Sequence, residues 1–184
     1  MKLVINVSTD EIVSDETFLK DRIIFMDGDF NEKLCNKVLR GILYLATHEP
    51  EKPVTLFIGS AGGSVFEFFK IWDALKGAPF KLNTVAIGEA QSAGAVLLLA
   101  GDKRMAFPNT TIMLHELAYS TGYDKMHDHE TVYKNRKKLQ EKISEIIKGK
   151  THIKDVKEFL KNDRELSAKE ALDLGIIDEI KERI

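Results

Sequence analysis

The chain has 184 residues, of which 43% are hydrophobic and 30% charged, a composition typical of one globular domain and not of a disordered chain. Its 27 lysines and arginines are balanced by 29 aspartates and glutamates, which argues against a general nucleic-acid-binding surface. A single cysteine, Cys35, excludes an intrachain disulfide, and no apolar run could span a membrane, so a reducing cytoplasm, stroma or matrix is expected.

Short strands and helices are predicted to alternate in the first part of the chain. Strands are expected at 22–26, 54–58 and 82–88, and helices at 31–47, 65–77 and 95–100. Asn31 is the expected cap of the first helix. The helix at 65–77 has an aromatic face of Phe66, Phe69 and Trp72, and the helix at 95–100 is wholly apolar, which favours a central position. Acidic residues follow the N-terminal apolar stretch too soon for a signal peptide.

The alternation is predicted to continue to the end of the chain. Strands are expected at 104–107, 111–114 and 176–180, and helices at 130–148, 155–160 and 168–174. The long charged helix at 130–148 carries one apolar stripe, wide enough to pack against another element, made of Val132, Leu139, Ile143, Ile146 and Ile147. The whole pattern predicts an α/β fold in a single domain over residues 1–184.

Ser92 is the most informative position, because it lies in a tight turn between a buried strand and a buried helix. Small residues surround it, namely Ala90, Ala93 and Gly94. Such a turn exposes a serine hydroxyl as a nucleophile and directs the first helical amides towards a developing oxyanion. The alternative is that Ser92 only caps the helix, and the local sequence leaves both open.

Two further residues could complete such a site. His115 follows the strand at 111–114 and is a candidate general base, or else a half-buried structural histidine. Asp163 lies just before the segment 166–168 and is a candidate acid, or else an exposed loop carboxylate.

Two other motifs are assigned to simpler roles. The glycine-rich turn at 59–64 lacks the Gly-Lys-Ser or Gly-Lys-Thr of a nucleotide loop, so it is expected to present backbone amides as an oxyanion hole or substrate rim. The cluster at 124–130 crowds its acidic and histidine side chains together without separated ligand pairs, so we expect a solvated loop. Neither a metal nor a cofactor is therefore expected.

Five motifs in this order resemble the ClpP family, the proteolytic subunit of the ATP-dependent Clp protease, over about residues 20–180. They are Asp21-Arg22-Ile23-Ile24-Phe25, the segment Ile58-Gly59-Ser60-Ala61-Gly62-Gly63-Ser64-Val65, the segment Ile87-Gly88-Glu89-Ala90-Gln91-Ser92-Ala93-Gly94-Ala95, the pair Phe107-Pro108-Asn109 with Met113-Leu114-His115, and Asp163-Arg164-Glu165-Leu166-Ser167-Ala168-Lys169-Glu170-Ala171.

The resemblance implies a serine endopeptidase with a Ser-His-Asp triad. Residue by residue, Ser92 matches the family's nucleophile, His115 its base and Asp163 its orienting acid. The amides of Gly63 and Ala93 match its oxyanion hole. Ala93 stands where the family usually has methionine, so it gives the specificity pocket a smaller side chain. The implied fold is the ClpP/crotonase-like spiral of strand-strand-helix units, with a protruding handle over about 117–150.

The resemblance also implies assembly and partners. The family forms two stacked heptameric rings that enclose the active sites, fed with peptides or unfolded proteins by a separate Clp-type AAA+ ATPase. Neither nucleic acid nor membrane is an expected partner. The first 20 residues, which form the axial pore in the family, match it poorly. The alternatives are a structural or catalytically altered ring subunit, a crotonase-type acyl-CoA enzyme, and a phage-type head maturation protease of the same fold.

Overall fold

Strands and helices alternate along the chain, which confirms the predicted α/β class. The computed structural model describes residues 15–119 and 126–183, and the side chains of 17–119 and 129–183. The elements in chain order are α1 Asp15–Lys20, β1 Ile23–Asp27, α2 Glu32–Thr47, β2 Val54–Ser60, α3 Val65–Gly77, β3 Leu82–Gln91, α4 Ala93–Leu98, β4 Lys103–Ala106, β5 Thr111–Leu114, α5 Met126–Lys150, α6 Val156–Leu160, β6 Arg164–Leu166, α7 Ala168–Asp173 and β7 Glu179–Ile180.

The strands form one mainly parallel sheet in the order β1-β2-β3-β4-β7. The long strand β3 is shared between two neighbours: residues 83–86 pair with β4, and residues 89–91 pair with β5. β5 in turn pairs with β6, and this is an antiparallel pair. The carboxyl end of β3 is therefore linked through β5 to β6, and the candidate site is built on these three strands.

Several boundaries differ from the sequence prediction, and two short elements were not predicted. The strand expected to stop at 88 continues to Gln91, because residues 89–91 gain β5 as a partner, so the turn that carries Ser92 begins later than expected. β6 and the short helix α1 were not predicted, since three and six residues are too short for a periodic pattern. The last predicted strand shrinks to Glu179–Ile180.

The hydrophobic core lies between the sheet and helices α2, α3 and α4. All six residues of α4 are buried, as expected for a central helix. Met26, Leu56 and Ile58 of the sheet are fully buried, as are Ile42 of α2 and Ile71 of α3. Each such side chain contributes about 1.5–3 kcal/mol of burial free energy.

The aromatic side chain of α3 that enters the core is not one of those that the sequence indicated. Phe68 is the ring in the core, with 1% of its surface exposed, whereas Phe66 is 59% exposed. Phe69 and Trp72 pack against the edge of the core and are partly buried.

Arg22 ties the end of α2 to the start of the sheet. It is buried, and its guanidinium donates hydrogen bonds to the carbonyl oxygens of His48, Lys52 and Pro53 at 2.7, 2.9 and 3.1 Å. The last turn of α2 contains no basic residue of its own. Arg22 therefore supplies the positive charge that stabilises the partial negative charge at the C-terminus of this helix.

Helix α5 divides into two halves. In its second half Ile143 and Ile147 are buried against the domain, whereas no described side chain between 129 and 142 is buried. The predicted apolar stripe is thus partly a core contact of the same domain, and only its first half is left available for another surface.

A polar network fixes the base of α5. The Arg104 guanidinium pairs with the Asp178 carboxylate and donates hydrogen bonds to the carbonyl oxygens of Lys150 and Gly175 at 2.6 and 2.9 Å. The Arg104 backbone N–H also donates to Asp178. Partial burial alone would raise the pKa of Asp178, but the hydrogen bonds from Arg104 outweigh it, so this pKa lies below its usual value.

Replacing the Asp178 carboxylate is expected to make stability depend less on pH. Because its pKa is depressed in the folded state, the carboxylate stabilises the fold above the unfolded pKa, and this contribution disappears as pH falls through the folded pKa. Asp178→Asn should therefore lower the free energy of unfolding at pH 7 by about 1 kcal/mol or less, since the side chain is 39% exposed. Urea titrations between pH 7 and pH 3 measure the difference.

The neighbouring exposed pair of Lys103 and Glu179 provides the control. Glu179→Gln should lower the free energy of unfolding at pH 7 by less than Asp178→Asn does. The depressed pKa of Asp178 would be contradicted if Glu179→Gln lowered the free energy of unfolding more than Asp178→Asn does. It would also be contradicted if the free energy lost in Asp178→Asn grew as the pH fell.

Candidate active site

Ser92 lies at the junction of β3 and α4 in a strained backbone conformation. Its φ of 52° and ψ of −120° are rare for a residue with a side chain, and such conformations cost about 1–3 kcal/mol. The backbone is held by a hydrogen bond from the Ser92 N–H to the Met113 carbonyl at 2.8 Å. The Ser92 carbonyl accepts from the Val96 N–H at 3.1 Å, as the first bond of α4.

The side chain of Ser92 does not cap α4, so the simpler interpretation of this residue is wrong. Its Oγ lies instead 2.8 Å from Nε2 of His115, a hydrogen-bonding distance.

The glycine-rich turn after β2 packs directly against this junction. Gly62 has a φ of +107°, and a Cβ added to it would lie 2.7 Å from the Ser92 Cβ. A Cβ on Gly94 would lie 2.9 Å from the Ser60 carbonyl oxygen. Both approaches require glycine, and together they bring the turn and the serine into contact.

His115 is placed beside Ser92 by the pairing of parallel strands. Gln91 of β3 lies opposite Met113 of β5, so Ser92 and His115 both follow closely at the same edge of the sheet. The His115 side chain is 20% exposed, which leaves the imidazole accessible from one side.

Asp163 is brought towards His115 by the antiparallel pairing of β5 and β6. Leu114 lies opposite Arg164, so the next position along the ladder sets His115 against Asp163. The distance from His115 Nδ1 to Asp163 Oδ1 is 3.8 Å, within ion-pair range but longer than a hydrogen bond. The Asp163 side chain is 76% exposed.

Gly63 and Ala93 line the same pocket as Ser92. Within 15–119 and 126–183, neither amide N–H donates a hydrogen bond to another group of the protein. Gly63 is exposed and has a φ of +137°, a conformation that turns its peptide away from the regular strand direction. The two residues that the sequence proposed for an oxyanion hole therefore both retain a donor.

A pocket of about 30 Å³ opens next to Ser92. It is lined by Gly63, by the polar residues Ser92, His115 and Glu116, and by the apolar residues Val65, Phe68, Ala93, Val96, Leu117 and Ile143. Sequence reasoning identified Ala93 here but missed Phe68 and Ile143. In the sequence both look like ordinary core residues of amphipathic helices, and only the fold shows that they line a pocket with Ser92.

The residues described contain no group of three or more His, Cys, Asp or Glu side chains arranged to bind a metal. The expected loop at 124–130 is wrong over residues 126–130, which already belong to α5, whereas 124 and 125 lie outside the described residues. No helix among the described residues is long and apolar enough to cross a membrane.

A protein-family model described as Clp protease matches residues 8–183. The match covers nearly the whole chain, including the glycine-rich turn at 59–64 and the segments that carry Ser92, His115 and Asp163.

Gly62→Ala is expected to displace Ser92, because the new methyl group would overlap the serine Cβ. Labelling of Ser92 by a fluorophosphonate probe should slow by about tenfold or more, measured by intact-protein mass spectrometry over time. Gly88→Ala is the matched control, since Gly88 also has a positive φ but an added Cβ there meets nothing within 4 Å. Equal slowing in both variants would mean that backbone strain, and not the contact with Ser92, is responsible.

Proposed function

Because the chain belongs to the Clp protease family, it is a ClpP-type peptidase of the serine class, and we propose that Ser92, His115 and Asp163 are the triad that performs its reaction. The observation that carries this proposal is the 2.8 Å separation of Ser92 Oγ from His115 Nε2 at a strained turn. A serine that only capped a helix would need neither the strain nor the histidine.

In the proposed acylation step, His115 Nε2 accepts the Ser92 hydroxyl proton while Oγ attacks the carbonyl carbon of a peptide bond. The tetrahedral intermediate then collapses: the C–N bond breaks, and the leaving amine takes the proton from Nε2. An acyl ester on Ser92 remains. Water attacks this ester with His115 again as base, which releases the carboxylic acid and restores the serine.

The amides of Gly63 and Ala93 are proposed to stabilise the tetrahedral intermediates. The carbonyl oxygen gains negative charge as Oγ attacks, and two N–H donors already fixed in place need no reorganisation to meet it. Support comes from their place in the pocket that Ser92 lines and from the absence of another acceptor for either donor among the described residues.

Asp163 is proposed to orient the imidazole and to stabilise its charged form. Its carboxylate faces Nδ1, the nitrogen that keeps its hydrogen while Nε2 acts as base. At 3.8 Å the interaction is electrostatic, and a small approach of β6 towards His115 would convert it into a hydrogen bond.

Assembly into a closed, ring-shaped particle is the second part of the proposal. The first half of α5 is a candidate handle, because it presents exposed surface, including Tyr133 at 57% exposure, and has no buried side chain among those described. Phe66 of α3 is also exposed, and the guanidinium carbon of Arg136 on α5 lies 5.1 Å from the centroid of its ring. A Clp-type ATPase is the proposed source of unfolded substrate, since the glycine-rich turn lacks the residues of a nucleotide loop.

Ser92→Ala and His115→Ala should each reduce hydrolysis of a short fluorogenic peptide by 10³-fold or more. Ser92→Ala should also abolish fluorophosphonate labelling, because the nucleophilic oxygen is gone. Ser167→Ala is the control: this hydroxyl caps α7, and its loss should leave both readouts unchanged. Labelling at another serine, or substantial turnover by Ser92→Ala, would refute the triad.

Tyr133→Glu is expected to lower the particle mass in sedimentation velocity, because it places a charge on the exposed apolar surface of the candidate handle. Thr131→Glu adds the same charge to the same helix at an exposed polar position and should leave the mass unchanged. A wild-type chain that sediments as a monomer would contradict the chambered assembly.

The wild-type particle should cleave short peptides by itself and degrade a stable folded protein only with a Clp-type ATPase and ATP. Rapid degradation of the folded protein by the chain alone would indicate an open protease.

A further inference from the structure

His115 lies where the sheet no longer holds the chain. β5 ends at Leu114, and residues 115–119 belong to no helix or strand. The imidazole must nevertheless stay within hydrogen-bonding distance of the Ser92 Oγ, because a displacement of about 1 Å in such a contact can lower the rate by about a hundredfold. The backbone that follows His115 therefore needs partners other than a neighbouring strand.

Two consecutive amides just after His115 have such partners. The Glu116 N–H donates to the carbonyl oxygen of Leu160, the last residue of α6, at 3.0 Å. The Leu117 N–H donates to Oε1 of Gln140, in α5, at 2.6 Å. The first acceptor belongs to the main chain and the second to a side chain, so a substitution at Gln140 can remove one partner and leave the other.

The amide group of Gln140 is itself held in the orientation that this contact requires. Its Nε2 donates to the Ser144 Oγ, one turn further along α5, at 3.1 Å, and this directs Oε1 towards Leu117. Rotating the amide by half a turn would place two donors, the NH2 group and the Leu117 N–H, against each other. The neighbouring Ile143 is buried, so the part of α5 that carries Gln140 is anchored in the core.

Loss of this acceptor would reach the candidate active site. Glu116 and Leu117 both line the pocket that contains Ser92, and Leu117 is only two residues from His115. The Leu117 N–H is partly shielded from solvent, so without Gln140 it must turn towards water to find a new acceptor. That rotation changes the backbone dihedral angles between Leu117 and His115, and the imidazole moves with them.

We infer that Gln140 is a positioning residue for the general base: by accepting the Leu117 N–H, it keeps His115 within reach of Ser92. The inference rests on the proposed function, since it concerns the same triad. In this role Gln140 acts only through His115.

The rate at which a fluorophosphonate labels Ser92 tests the inference, measured by intact-protein mass spectrometry on the full chain. Gln140→Met keeps the length and the helix propensity of the side chain but removes the amide oxygen, so labelling should slow by about tenfold or more. Gln140→Glu keeps an acceptor oxygen at the same place in the side chain and should retain most of the wild-type rate. Glu141→Met is the matched control, because it introduces the same side chain at the next, exposed position and should leave the rate unchanged.

A double-mutant cycle separates the positioning of His115 from a general loss of stability. His115→Ala removes the group through which Gln140 is inferred to act, so adding Gln140→Met to that variant should change the remaining labelling rate by less than about twofold. Equal slowing by Gln140→Met in the presence and absence of His115 would overturn the inference. Unchanged labelling in Gln140→Met, or an equal loss in Gln140→Met and Gln140→Glu, would overturn it as well.

Hydrogen exchange on the wild-type protein gives a second test that needs no variant. The Leu117 amide should exchange at least about tenfold more slowly than the amide of Ala118, after correction for their intrinsic rates. Ala118 is exposed, and its N–H has no acceptor among the described residues. Equal exchange at the two amides would contradict the role of Gln140.

The proposed triad and the role of Gln140 can fail separately. If Ser92 in His115→Ala is labelled as fast as in the wild type, the proposed triad fails and the role of Gln140 falls with it. If His115→Ala slows labelling but Gln140→Met does not, the triad stands and only the role of Gln140 is refuted.

Discussion

The contact between Gly62 and Ser92 is the constraint on which the candidate site depends. A strained serine at the end of a strand needs surroundings that hold it, because its conformation costs about 1–3 kcal/mol. Here the Met113 carbonyl fixes its N–H, the buried helix α4 fixes its carbonyl side, and Gly62 approaches so closely that no side chain fits. The same turn also places Gly63 in the pocket that Ser92 and Ala93 line, so the proposed nucleophile and the proposed oxyanion donors depend on one packing contact.

The other two members of the proposed triad depend on strand pairing. The parallel register of β3 and β5 sets His115 beside Ser92, and the antiparallel register of β5 and β6 sets Asp163 against His115. The second pair is the weaker, because β6 has only three residues and Asp163 lies just before its start. This difference agrees with the two distances, 2.8 Å for the serine–histidine contact and 3.8 Å for the histidine–aspartate contact.

Much of this arrangement was predictable from the sequence, and the reasons for the failures are physical. The bounds of α3 and β5 follow from periodicity and flanking residues, and Asn31 caps α2 as expected. The last residues of β3 were misassigned because Glu89 and Gln91 look like a polar turn, whereas both are strand residues, exposed at Glu89 and half-buried at Gln91, whose backbone pairs with β5. No local pattern reveals that partner.

The side chains that shape the pocket were missed for a related reason. On α3 the sequence shows Phe66, Phe68 and Phe69 within four positions, and hydrophobicity alone does not say which ring enters the core. Packing against α2 and α4 selects Phe68. Ser92, His115 and Asp163 were candidates from their local sequence and were matched to a triad through family motifs, while the Gly62 contact and the place of Phe68 in the pocket required coordinates.

Helix α5 joins two regions of very different accessibility in a single rigid rod. With a rise of 1.5 Å per residue, Ile143 lies about 6 Å from Ile147 along the axis, whereas the first residue of the helix lies about 31 Å from it. A tilt of about 5° pivoting on the buried Ile147 therefore moves the first residue of the helix by about 3 Å and Ile143 by about 0.5 Å. The helix acts as a lever with unequal arms, so a tilt that reorients its N-terminal half scarcely changes the dimensions of the pocket.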